Sequence, residues 1–194
     1  MEVSDITILK IYSRDKHKGL ELLYERYKKY IYGIAANYAG SREDALDITQ
    51  EVFISVFKNL DRFKEGFSLL PWLRRITVNK CLNHITNKKA VNAKGMISLN
   101  QTNEEGDEMQ SLLRSDENTE SEVLLKDTKK TLEKAIRLLP DRERMAVILR
   151  HMKGMKYEEI ASIMDLPIGT VKTFLYRART TIREKLVNDG VWEV

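Results

Sequence analysis

Trp72, Arg75, Asn79 and Asn83 recur at spacings of three and four, so on a helix they share one face. The set joins an aromatic ring to a guanidinium and two amides, the groups that stack on an unpaired base and bond its edge. Lys80 lies beside them, Phe63 and Phe67 precede them on a loop, and from Arg74 to Lys94 there are six basic residues and no acid. Such a run neutralises phosphates. For Trp72 taken alone, a core ring beside a merely wet polar stripe is an equal reading. Cys81, with Val78, Leu82 and Ile85, falls on another face and reads as packing rather than redox chemistry.

A second set begins at Tyr157. Ile160, Ala161 and Met164 fit one short helix and Val171, Phe174, Leu175, Ala178 and Ile182 the next, with Asp165-Leu166-Pro167-Ile168-Gly169 between them. Small Ala161 permits a close crossing. With that stripe inward, Thr173, Tyr176, Arg177 and Thr180 point outward, flanked by Lys172, Arg179 and Arg183. Arg and Lys can chelate guanine, while hydroxyls and the helix start near Gly169-Thr170 can bind backbone phosphate. This is the pattern of a helix-turn-helix on duplex DNA, although a solvated cationic helix pair would share it. Asp165 stands where such turns often place glycine, and aspartate can visit the left-handed conformation.

The elements that must carry these sets are helices. Three prolines and nine glycines in 194 residues leave few turn signals. Leu20, Leu23, Tyr27, Ile31, Ile34 and Tyr38 predict an amphipathic helix from about 18 to 38. Ser41 is placed to cap a second, 42–60, which buries Ile48, Val52, Phe53, Val56, Phe57 and Leu60 and presents Asp44, Asp47, Gln50 and Glu51. Pro71, tolerable only in a first turn, opens a third that runs to about 89. Periodicity then fades before further helices at about 123–139, 141–152, 157–164 and 170–187, the first of them stopped by Leu139-Pro140. The expectation is an all-α chain of two small helical domains, 1–90 and 123–194, joined by a flexible acidic linker, 91–122.

Charge sharpens that division. The net +4 conceals a segment, Gln101 to Asp127, with nine acids against Arg114 and Lys126, so the remainder carries a large positive surplus. Two basic bodies on an acidic tether point to a polyanionic partner. A single cysteine forms no internal disulfide, and His17, His84 and His151 lack the spacing of a metal site, so no metal is expected. The start MEVSDITILK has no basic n-region, and no span is long and apolar enough for a bilayer; a cytoplasmic setting is expected. No phosphate-cradling glycine run or nucleophile-base pair suggests an enzyme, and no cofactor is implied. A repressor or response-regulator output domain would account for the C-terminal set but not the basic aromatic helix.

DALDITQEVFISVF with RF, then SLLPWLRRITVNK, then LLPDRERMAVILRHMKGMKYEEIASIMDLPIGTVKTFLYRAR together resemble the signature segments of extracytoplasmic-function sigma factors, in order, over about Leu20 to Leu186 excluding the linker. The resemblance implies a dissociable subunit of bacterial RNA polymerase that directs promoter-specific initiation. Asp44, Asp47, Gln50 and Glu51 would dock on the clamp helices of the largest subunit, and the flap would be a second contact. Phe63, Phe67, Trp72, Arg75, Asn79, Lys80 and Asn83 would read and melt the minus-ten element of promoter DNA. Thr170, Lys172, Thr173, Tyr176, Arg177 and Arg179 would bind the minus-thirty-five element. A membrane-anchored anti-sigma factor is implied as regulator. Phe174, where many relatives carry a basic residue, and Gly66-Phe67-Ser68-Leu69 depart from the common pattern, which bears on promoter sequence.

Overall fold

The computed structural model describes residues 3–63, 68–93 and 120–191. All regular structure among them is helical. Two compact units form, Met1–Asn87 with Ala161–Leu166, and Lys88–Ile160 with Pro167–Val194.

The first unit opens with a helix the apolar periodicity did not announce, α1, Asp5–Arg14. Ser4 caps it, its side chain accepting the Thr7 N–H at 3.2 Å, and Ile8 and Tyr12, one turn apart, are buried. Ile6-Thr7-Ile8 also alternates as a strand would, and a ten-residue apolar stretch is too short for periodicity to separate the two. Asp15 then leaves the helical region, φ −139° and ψ 98°, and caps α2, Lys16–Tyr38, by accepting from Lys18 N. One face of α2 buries Leu23, Tyr27, Ile31, Ile34 and Tyr38, the aliphatic three each contributing about 1.5–3 kcal/mol by leaving water. Gly19 is needed where α1 meets α2, because a Cβ there would fall inside contact distance of the Tyr12 backbone.

Ser41 caps α3, Arg42–Asn59, accepting from Asp44 N at 3.1 Å, as its position after Gly40 predicts. Ala45, Ile48, Val52, Phe53 and Val56 are buried, while Phe57, expected in the core, is half-buried at its edge. A 3-10 turn over Leu60–Arg62 follows, and then α4, Leu69–Ala93, with Pro71 in its first turn where the missing N–H costs nothing. Leu69, Leu73, Thr77, Val78 and Cys81 form the buried side of α4. Cys81 makes no disulfide and sits in the core, as packing requires.

The second unit begins with α5, Glu120–Arg137, and turns at Pro140 into α6, Asp141–Val147. The expected single helix over 141–152 instead changes to a π-helical turn over Ile148–Met152, with Lys153 N bonded to Ile148 O five residues back at 3.2 Å. Gly154 releases the chain at φ +68°. Helix α7, Tyr157–Met164, which the division into units cuts after Ile160, buries Ile160, Ile163 and Met164, and α8, Ile168–Asn188, buries Val171, Leu175, Ala178 and Leu186. Between them Asp165 takes φ 55°, the left-handed conformation its residue type predicts. The expected linker lies mostly outside the described residues, with helix at 91–93 and 120–122.

Candidate nucleic-acid interface

The core of the first unit orients α4 so that its outward face is the one bearing the candidate base-reading residues. With Leu73, Thr77 and Cys81 inward, Arg75, Asn79 and Asn83 are exposed. Trp72 is half-buried, its ring tilted 50° against Phe63 at 5.1 Å between centroids. The ring is therefore neither core nor open platform, but one half of an aromatic pair with a solvent-facing edge. Phe67 lies outside the described residues.

Lys80 is partly covered and pairs with Glu51 of α3 at 3.3 Å. His84, further along α4, pairs with Asp44 at 3.0 Å, with side-chain exposures of 18% and 16%. These contacts correct the expectation that Asp44, Asp47, Gln50 and Glu51 all present an open face on α3: two of the three acids in that set are paired with α4. Asp44 faces α4, because its side chain projects toward the same edge as Glu51, seven residues or two turns on. Asp47 and Gln50 remain exposed. The half-exposed Glu51–Lys80 pair is worth little in water, about 0–1 kcal/mol, so Glu51 can be redirected at small cost. Arg74 is committed elsewhere, donating from Nε to the Tyr30 hydroxyl at 2.6 Å.

Two apolar residues on α3 escaped the sequence reading. Leu46 and Ile54 are 43% and 53% exposed and, with Gln50 between them at spacings of four, form a stripe beside Asp47. Their signal was present: they fall outside the buried set Ala45, Ile48, Val52, Val56. The acidic face of α3 is thus amphipathic, with exposed aliphatic groups that a partner could cover.

On α8 the inward stripe leaves Lys172, Thr173, Tyr176, Arg177 and Arg179 exposed, Tyr176 at 67%, with Thr170 half-buried in the first turn. Pro167 precedes the helix and supplies no side-chain cap, which leaves its positive dipole end without a competing acceptor from that residue. The Thr173 and Thr180 hydroxyls donate to the carbonyls of Gly169 and Tyr176, at 3.0 and 3.2 Å. They must rotate to donate to DNA, but can accept as they stand. Desolvation, with Arg150 and Arg179 nearby, holds the His151 imidazole below its ordinary value, so this end of the unit carries positive charge without needing a protonated histidine.

Among the described residues no cluster of His, Cys, Asp and Glu could hold a metal ion, and no helix is long and apolar enough to cross a membrane.

Two family models define the class. Residues 23–91 match Sigma-70 region 2, taking in α3 and most of α2 and α4, and residues 129–182 match Sigma-70, region 4, taking in the second half of α5, α6, α7 and most of α8. The chain is 30% identical over 189 residues to the ECF RNA polymerase sigma-E factor of Haemophilus influenzae, covering 95% of this chain and 96% of that protein. It is likewise 30% identical over 185 residues to the ECF RNA polymerase sigma-E factor of Escherichia coli K12, covering 95% of each. The chain belongs to the extracytoplasmic-function sigma factor family. Two solved structures share its fold: the sigma factor RpoE in complex with the anti-sigma factor NepR from Bartonella quintana, at TM-score 0.63 and 20% identity, covering 87% of this chain and 97% of that one; and CnrH in complex with the cytosolic domain of CnrY, at TM-score 0.61 and 19% identity, covering 95% and 98%.

Proposed function

We propose that this chain is an alternative sigma factor that binds core RNA polymerase and directs promoter-specific initiation. The observation that carries the reading is the coincidence of family and surface: each matched segment exposes a face chemically suited to a different state of DNA. On α4, Trp72 with Phe63, Arg75, Asn79, Lys80 and Asn83 suits a separated strand at the minus-ten element. On α8, Thr170, Lys172, Thr173, Tyr176, Arg177 and Arg179 suit the major groove of the minus-thirty-five element. Asp47, Gln50 and Glu51, with Leu46 and Ile54, form the docking face for the clamp helices of the largest polymerase subunit, the flap being a second contact. Asp44 serves this face by bracing α3 against α4.

Energetics set the division of labour. Separating paired DNA costs about 1.4 kcal/mol per base-pair step. Stacking on protein aromatics returns about 1–3 kcal/mol per captured base. The aromatic pair can trap an opening but not drive one of several pairs, so the polymerase supplies the rest. Solved relatives bound to anti-sigma factors support regulation of this chain by such a protein, membrane-anchored in our reading, with the sigma factor acting in the cytoplasm.

The test is run-off transcription with purified core polymerase, with and without the chain, over a promoter library. The chain should create initiation at a defined subset of promoters; unchanged start sites and no association with core would overturn the proposal.

A further inference from the structure

Outside the region 2 match, which begins at residue 23, lies α1, and it holds the ground on both sides of the Phe63–Trp72 pair. Asp5, its first residue, accepts the backbone N–H of Leu69 at 3.2 Å through Oδ2. Leu69 opens α4, so Asp5 satisfies one of that helix's orphan donors from 64 residues away and puts negative charge at its positive end. The other oxygen of Asp5 accepts from the Tyr27 hydroxyl at 2.6 Å, and Arg26 Nε lies within 3.2 Å. Burial, and then the bond to Asp5, pushes the Tyr27 hydroxyl up to about 12, so it stays a donor across the physiological range.

In the last turn of α1, the Tyr12 hydroxyl donates to Asp61 at 2.7 Å, and Lys16 donates to its other oxygen at 2.8 Å. Asp61 lies in the 3-10 turn, two residues before Phe63, whose own N–H is bonded to Leu60 O. The Lys16 and Tyr12 bonds hold the Asp61 carboxyl below the usual carboxylate range, so the pin is charged at neutral pH. Trp72 therefore projects three residues after one pin and Phe63 two residues after the other, and α1 supplies both. Gly19 allows α1 to lie close enough to α2 to do this.

We propose that Asp5 and Tyr12 are positioning residues for strand capture: α1 fixes the segments bearing Phe63 and Trp72 so that the aromatic pair is ordered before an unpaired base arrives. The inference rests on the reading of α4 given above. Preorganisation lowers the ordering cost of binding rather than adding contacts.

The test uses the full chain assembled with core polymerase and a promoter found by the run-off assay. Asp5→Asn keeps the volume but removes the charge, and Tyr12→Phe keeps the ring but removes the hydroxyl. Lys10→Ala, on an exposed position of α1, is the control. Core affinity is measured by competition, and strand capture by binding of a fluorescent single-stranded oligonucleotide carrying the minus-ten sequence. Both variants should bind the strand about three- to tenfold more weakly, the loss expected of one hydrogen bond, with core affinity and Lys10→Ala at parental levels. Strand binding equal to the parent in both variants overturns the role given to α1, as does a loss of core affinity in parallel with strand binding. Should Asp5→Asn fail to fold, Tyr12→Phe decides alone. Failure of the parent holoenzyme to bind the strand would instead remove the reading of α4, and the inference with it.

Discussion

Replacing Gly19 with alanine sets two terms of opposite sign against each other. Alanine is favoured over glycine in a helix by about 1 kcal/mol, less near the first turn where residue 19 stands. The added Cβ would approach Tyr12 N to 2.7 Å, with Tyr12 Cα and Cβ closer still, where ordinary contact begins at 3.4 Å. The obstacle is largely backbone of α1, which cannot rotate away as a side chain would, so α1 must retreat by the best part of an ångström. That movement disturbs buried Ile8 and lengthens the Tyr12–Asp61 bond. Forced overpacking of this kind costs about 1–3 kcal/mol. The clash therefore wins, with a net loss of about 1–2 kcal/mol after the propensity gain. For a unit of this size that lowers the melting midpoint by about 4–16 °C. Thermal unfolding in a Trp192→Phe background, where Trp72 is the remaining tryptophan, reads the first unit. Gly169→Ala, in the second unit and therefore followed by circular dichroism rather than by Trp72, is the contrast: nothing lies within 4 Å of its Cβ position, so the propensity term acts alone and stability should hold or rise. An unchanged or raised midpoint for Gly19→Ala would refute the close crossing of α1 on α2.

Asp165, at φ 55°, predicts an order of stability among substitutions: glycine relieves the backbone strain but loosens the unfolded chain, for a net gain of up to about 1 kcal/mol, whereas valine should cost about 1–2 kcal/mol. Urea denaturation ranks the three, and a valine variant as stable as the parent would contradict the left-handed turn. For His151, the folded imidazole sits below its ordinary value of 6.5, so the unfolded chain binds more protons in that interval and stability must fall as pH drops from 6.5 toward the folded value. The denaturation midpoint of the second unit should fall on acidification through this window, less steeply in His151→Gln; a rise on acidification would reverse the sign of the argument.

The class of fold, the helix over α2, the Ser41 cap, the stop at Pro140 and the left-handed Asp165 follow from local signals, because each rests on periodicity, a cap or a backbone preference. The sequence also placed Arg75, Asn79 and Asn83 on one outward face of α4 and Lys172, Thr173, Tyr176, Arg177 and Arg179 outward on α8, since burying the apolar stripe fixes what remains outside. Pairings between distant residues were not legible. That Asp44 meets His84, Glu51 meets Lys80, and Trp72 leans on Phe63 depends on how α3, α4 and the 3-10 turn are brought together. Helix α1 shows the limit most plainly. Its ten residues are too few for an apolar pattern to decide between helix and strand, yet its Asp5 and Tyr12 reach Leu69 and Asp61 across 64 and 49 residues of sequence. Charge and periodicity specify a face, but only packing decides which face it meets, because that choice is made by the shape of the whole core rather than by any local segment.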